Sequence, residues 1–337
     1  MAKKALLIGI NDYPEGYELR GCVNDSMAIE SALKFNEDGS LNFGTKNLNN
    51  CKSASIAERE IKKLFQDNGT IDMALLYFSG HGFVDANDNG QIVFPNSIEA
   101  DSSCKGIYMS NIMKIVRSST IRNKIVIFDC CHSAKLAFGD DCKGSTIAVL
   151  PEGCSILSAC RSEEVAVERD GQGLFTSLLL QALKGESADY LGNITAGGIY
   201  AYIDKCLSEW EQRPVFKTNV SSFAVIKKVN PKVPTEIIKR GMNLFAEDEN
   251  GLPKDFPLNP SFEDTNDPNV EHKYIEPYAT PENIKKFKIL QKLQSIGFVE
   301  PVDADYMYFA AMESKSCRLT KVGQYYWKLA KDGRLGI

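Results

Sequence analysis

Two apolar runs, Met73-Ala-Leu-Leu-Tyr-Phe and Lys124-Ile-Val-Ile-Phe, each stop at a small polar cluster: Ser79-Gly80-His81-Gly82 after the first, Asp129-Cys130-Cys131-His132-Ser133 after the second. Runs of Leu, Ile, Val and aromatics that do not alternate with polar residues read as parallel strands buried on both faces. Catalytic and binding groups collect where such strands end. A His leaving one strand and a Cys leaving another therefore meet in space although they are far apart along the chain. A Cys and a His joined in this way are the elements of thiol-based nucleophilic catalysis.

At 337 residues the chain is long enough for two domains, each with its own core. Its net charge of -5 gives no reason to expect nucleic acid as a partner. No stretch approaches the roughly eighteen continuous apolar residues of a membrane span, so no membrane partner is expected. The first residues resemble a signal peptide, but the apolar run stops at Asn11-Asp12 and reads better as a core strand. The 10 cysteines are scattered, which fits reduced thiols in a cytoplasmic protein. Neither a C-x-x-C nor an H-x-x-x-H pair occurs, so no metal or other cofactor is expected.

Strand-like and helix-like segments alternate up to about residue 229. Strands are expected at Lys4 to Ile10, at the two runs above and at Cys154 to Ser158. Helices are expected at Asp25 to Phe35, Ser53 to Gln66 with a Ser cap, Ser110 to Arg117, Leu174 to Leu183 and Thr195 to Trp210. This order predicts an α/β domain over 1–229, a mostly parallel sheet flanked by helices. Residues 230–280, rich in proline and acidic side chains, read as a linker or irregular wrapping segment. Residues 281–337 read as a small α+β, winged-helix-like domain, with a helix over Pro281 to Ser295, strands at Phe298-Val299 and Tyr306 to Ala311, and a last helix through Leu329. The net charge changes from acidic to basic near residue 284, which supports a boundary there.

A thiolate attacks an amide carbonyl readily and forms near neutral pH beside an imidazole. His81 follows a strand in a glycine-flanked turn, where backbone can approach a substrate closely. The amides of Gly82 and Cys131 are candidate donors to an oxyanion. Neighbours in a strand face opposite ways, so one of Cys130 and Cys131 faces the site. Cys131, nearer the loop, is the expected nucleophile, and Cys130 reads as core filler. His132 adjoins the sulfur too closely to align its ring and is assigned a loop role.

Taken in order, Leu19-Arg20-Gly21-Cys22-Val23-Asn24-Asp25, Tyr77-Phe78-Ser79-Gly80-His81-Gly82, Asp129-Cys130-Cys131-His132-Ser133, Leu157-Ser158-Ala159-Cys160, Gly173-Leu174-Phe175-Thr176 and Gln212-Arg213-Pro214 resemble the caspase and metacaspase superfamily, closer to its prokaryotic, metacaspase-like branch than to animal caspases. The resemblance spans roughly residues 3 to 227. It implies a His81–Cys131 dyad, with Gly82 in the oxyanion hole and Cys22, Asp25, Ser79 and Asp129 lining the specificity pocket. Two carboxylates in a slot favour a cation, so the implied activity is a cysteine endopeptidase acting on proteins after Arg or Lys. Asp25 also reads as an N-cap for the helix that follows, and the two roles are compatible. Ala134 replaces the Gly usual in the family's His-Ser-Gly, which bears on loop geometry and not on the dyad.

Residues 135–153 lie where family members carry self-processing sites, and Lys135 and Lys143 are the candidate self-cleavage positions. The acidic clusters at Asp85 to Asp88 and Asp140-Asp141 do not spell a calcium loop, and calcium dependence is left open. Caspase-like proteins joined to small accessory domains occur in prokaryotic defence and regulated-death systems, which suggests an activating partner for the C-terminal domain. The alternative readings are an inactive caspase-like scaffold, or a protein that binds partners or nucleic acid through that domain.

Overall fold

The computed structural model describes residues 2–66, 69–87, 89–98, 104–130, 150–159, 168–169, 172–207, 214–269 and 275–335. The chain divides into two compact units, Met1–Val229 and Asn230–Ile337.

The first unit is built on a 6-stranded sheet in the order β12-β8-β7-β3-β1-β2. Its strands are β1 (Ala2–Gly9), β2 (Gly44–Asn47), β3 (Ile71–Ser79), β7 (Asn123–Asp129), β8 (Cys154–Ser158) and β12 (Val215–Asn219). All pair in parallel except the edge strand β12. Shorter pairings surround it: β4 (Gly82–Val84) with β5 (Gly90–Ile92) and β6 (Ile107–Tyr108), β9 (Glu168–Arg169) with β10 (Gln172–Gly173), and β11 (Asn193–Thr195) with β13 (Val225–Lys228).

The uninterrupted apolar runs follow from a sheet covered on both sides. Leu6, Ile8, Leu76, Phe78, Val126 and Phe128 pack on one face with α2 (Ala54–Phe65) and α3 (Met109–Ser118). Ala5, Leu7, Leu75, Tyr77, Ile125 and Ile127 pack on the other with α1 (Cys22–Lys34), α4 (Leu174–Gln181) and α5 (Ala196–Cys206). Each large apolar side chain buried this way contributes about 1.5–3 kcal/mol, so a polar residue at either parity is costly. Ser53 does occupy the N-cap of α2, but its hydroxyl pairs with Ser55 Oγ at 2.9 Å and caps no backbone amide. The Nζ of Lys3 donates to the carbonyls of Val225 and Ile226 at 2.9 and 3.0 Å, tying the first strand to β13.

β1 has β2 on one side and β3 on the other, so the winding reverses between β1 and β3. In such sheets the crevice beyond the strands' carboxyl ends, at the reversal, is where ligands bind. The loop after β1 and the turn after β3 both open there.

In the second unit, β14 (Phe256–Pro257), β16 (Ser316–Leu319) and β15 (Val299–Val302) form an antiparallel sheet in that order. The helices are α6 (Thr235–Met242), α7 (Pro281–Ser295), α8 (Met307–Met312) and α9 (Lys321–Lys331). Residues 230–280 thus do not form a free linker. They supply α6 and β14, and Phe245, Phe256 and Phe262 continue to Phe287 of α7 through ring contacts at 6.1, 5.6 and 6.4 Å. Tyr306 to Ala311, expected as a strand, contains most of α8. Met307, Ala310 and Ala311 are buried at helical spacing while Tyr306, Tyr308 and Phe309 are exposed, and a short apolar run does not betray its period.

Candidate active site

Three parallel strands end at one level. Ser79, the last residue of β3, pairs with Gly9 on one side and with Asp129 on the other. The backbone continues the ladder one step further, Ile10 N–H donating to Ser79 O at 3.1 Å and Gly80 N–H to Asp129 O at 3.4 Å. The polar clusters of the two apolar runs are therefore side by side at the reversal.

His81 follows as a half-buried residue fixed at three points. Its Nε2 lies 2.7 Å from Tyr17 O. A carbonyl only accepts, so Nε2 carries the proton and Nδ1 keeps its lone pair as a base. Its backbone N–H donates to the Tyr13 hydroxyl at 3.0 Å, and that hydroxyl donates to Val93 O at 3.1 Å. The Tyr13 ring stands edge-on to the imidazole, with centroids 4.5 Å apart. Burial raises the Tyr13 phenol's pKa well above its usual value, so it remains a protonated donor. Gly80 is glycine for want of room: a Cβ there would lie 2.6 Å from the Tyr13 hydroxyl oxygen and 2.9 Å from the Phe78 ring.

The second cluster is acidic. Asp25 is 2% and Asp129 7% exposed. Asp25 lies inside the first turn of α1, whose N-cap is Gly21, so it is not the helix cap. The two carboxylates converge on Gly173. Its N–H donates to Asp25 Oδ2 at 3.3 Å, and a Cβ at Gly173 would meet Asp129 Oδ2 at 2.7 Å and Asp25 Oδ2 at 3.4 Å. Gly173 is the N-cap of α4, so both charges lie at the positive end of that helix. The Thr176 hydroxyl donates to Asp129 Oδ2 at 2.6 Å and lies 2.6 Å from the Tyr77 hydroxyl. Burial, then the charges of Asp129 and Asp25, raise the pKa of the Tyr77 phenol well above its ordinary value.

Cys22 opens α1 and is buried, as is Ser79. The helix lies so close to the sheet that a Cβ at Gly9 would come within 2.3 Å of Cys22 O. Gly82 opens β4 and pairs with Ile92. Cys130 is 1% exposed in the core layer of Phe78 and Phe128. Cys131, His132, Lys135 and Lys143 lie outside the described residues. Asp85 accepts from the backbone amides of Asn87 and Asn89, both at 2.9 Å, and so organises its own turn. Among the described residues no three His, Cys, Asp or Glu side chains gather as a metal site would require.

Sequence reasoning on single residues missed Tyr13, the Tyr17 carbonyl, Gly173, Thr176 and Tyr77. The signal within reach was Tyr77, a phenol inside a run of pure hydrocarbon, since a buried phenol needs a polar partner.

The sequence pattern of the caspase domain matches residues 2–221. Metacaspase-3 of Trypanosoma cruzi is 30% identical over 145 residues, 40% of this chain and 40% of the relative. Metacaspase-1B of Aspergillus fumigatus is 27% identical over 206 residues, 55% of this chain and 50% of the relative. The aligned part thus spans half or less of the length of these curated relatives. Among solved structures, caspase-1 of Spodoptera frugiperda superposes with a TM-score of 0.47 at 15% identity, covering 68% of this chain and 90% of that one. A protein of Geobacter sulfurreducens superposes with a TM-score of 0.48 at 16% identity, covering 68% and 97%. With the caspase pattern running through nearly all of the first unit, and metacaspases among its relatives, the chain belongs to the caspase and metacaspase superfamily of cysteine peptidases.

Proposed function

We propose that this protein is a cysteine endopeptidase that cleaves after Arg or Lys, with Cys131 as nucleophile and His81 as base. The observation that carries the reading is a juxtaposition at one end of the sheet: an imidazole whose Nε2 is committed to Tyr17 O, beside two buried carboxylates that meet at Gly173. With Cys130 committed to the core, Cys131 is the sulfur we assign to the reaction.

In this mechanism the Cys131 thiol gives its proton to His81 Nδ1 and the sulfur adds to the scissile carbonyl. The N–H groups of Gly82 and Cys131 stabilise the oxyanion. Collapse breaks the C–N bond, and His81 protonates the departing amine. Water, deprotonated by His81, then opens the thioester and the thiol returns. Asp25 and Asp129, with Cys22 and Ser79 beside them, receive the cationic side chain before the cleaved bond. A buried negative pair is costly without a cation, and that cost becomes selectivity for a guanidinium or ammonium.

The same reading makes Lys135 and Lys143 self-cleavage positions. It assigns residues 230–337 to docking an activating partner, in prokaryotic defence or regulated cell death. The described cysteines are all free thiols, which supports work in a reducing compartment such as the cytoplasm. Peptide-library mass spectrometry checks the reading. Wild-type protein is expected to release fragments ending in Arg or Lys, and Cys131→Ala none; undiminished turnover by Cys131→Ala rejects the nucleophile.

A further inference from the structure

Asp129 is oriented from behind by two hydroxyls that belong to no motif of the dyad. Thr176 is 0% exposed, its hydroxyl donates to Asp129 Oδ2 at 2.6 Å, and Tyr77 OH lies 2.6 Å from the same Thr176 oxygen. An ionised carboxylate only accepts, so the single Thr176 proton is spent on Asp129. Tyr77 must therefore donate to Thr176, and the row runs in one direction: Tyr77 O–H to Thr176 O–H to Asp129. Successive bonds of this kind polarise one another, which strengthens the last one in a dry interior.

The row also draws on three elements that meet nowhere else in sequence: Tyr77 from β3, Asp129 from the end of β7 and Thr176 from the first turns of α4. On the side of Gly173 there is no space for a side chain between the two carboxylates. Asp129 Oδ2 is thus anchored, and the carboxylate plane is fixed with respect to the sheet.

We infer that Thr176, supported by Tyr77, is a positioning residue for specificity: it sets the plane in which Asp129 meets the cation of the substrate, and so favours Arg over Lys. This rests on the reading of Asp129 as part of the cation pocket. A planar guanidinium bonds a carboxylate through two parallel N–H groups and needs that plane, whereas an ammonium is a compact charge that does not.

The test is steady-state kinetics of the full chain on paired peptides that differ only in Arg or Lys before the cleaved bond. Thr176→Val keeps shape and removes the hydroxyl. It should lower kcat/KM for the Arg peptide about tenfold or more, chiefly through KM, because a hydrogen bond to a charged group is worth about that factor. The Lys peptide should lose much less, so that the Arg to Lys ratio falls. Thr176→Ser should restore the ratio. Tyr77→Phe, which keeps the ring in the core, should move it in the same direction by a smaller factor and stands in if Thr176→Val does not fold. Equal losses on both peptides, or an unchanged ratio in Thr176→Val and Tyr77→Phe, would overturn the inference. Asp129→Asn separates the two levels: if it leaves the preference for basic residues intact, the pocket reading itself fails, whereas a lost preference beside an unmoved ratio in the Thr176 variants fails the inference alone.

Discussion

The imidazole of His81 owes its usefulness to two tyrosines of the loop after β1. Tyr17 supplies a carbonyl that fixes the tautomer, and Tyr13 supplies a ring and a hydroxyl that fix the backbone. Tyr13→Phe removes one acceptor and one donor at once, leaving the His81 N–H and Val93 O without their present partner. Stability should fall by about 1–3 kcal/mol. The kinetic loss should appear in kcat with KM little changed, since the base and not the cation pocket is disturbed; denaturant melts and steady-state rates on an Arg peptide check both. Gly80→Ala should act through the same hydroxyl. Its Cβ would arrive 2.6 Å from that oxygen, and its rate should fall even where its melting curve is close to wild type. At this scale the sequence was legible where a residue announces its chemistry locally: His81, Asp25 and Asp129 sit beside glycines, cysteines and strand ends. Tyr13, Tyr77 and Thr176 were illegible because a buried hydroxyl gains its role from a partner remote in the chain.

Elements were legible in proportion to how much apolar surface they bury. The four expected strands of the first unit appear because both faces of the sheet are covered, so that each residue of a run votes the same way. α1 begins at Cys22, not Asp25, because the contact of Gly9 with Cys22 O and Ser26 Oγ draws the helix start onto β1, a tertiary effect without a local signature. The charged side of α2 allows a pH prediction. Glu60 bonds Lys46 of β2 at 2.6 Å and Lys63 at 3.0 Å, and these bonds hold its pKa at about 2, below its ordinary 4.5. A carboxyl depressed in the folded state adds stability that is fully present above its unfolded pKa and is lost as pH falls through the folded one. The first unit should therefore lose this contribution between about pH 4.5 and 2, and Glu60→Gln should flatten that part of the stability profile in urea titrations. An acid limb of equal slope in both proteins would count against the Lys46 tie.

Across the whole molecule, proline density misled. Pro253, Pro257 and Pro260 punctuate a segment whose aromatics complete the core of the second unit. Trp327 of α9 donates to Phe245 O at 3.0 Å, so the last long helix is anchored to the stretch that reads as linker. A fragment of residues 281–337 should therefore lack cooperative melting, while residues 230–337 should melt as one transition; circular dichroism of the two fragments decides it. Failure of 230–337 to fold would show that its core is completed from elsewhere. The acidic notch of the first unit carries a consequence for synthesis. Asp25 meets Gly173, and Lys3 meets Val225, across nearly the full span of that unit. A nascent chain leaving the ribosome makes the histidine turn early but has no notch until α4 has emerged, so translation itself withholds the ability to grip a basic residue until almost the entire unit exists.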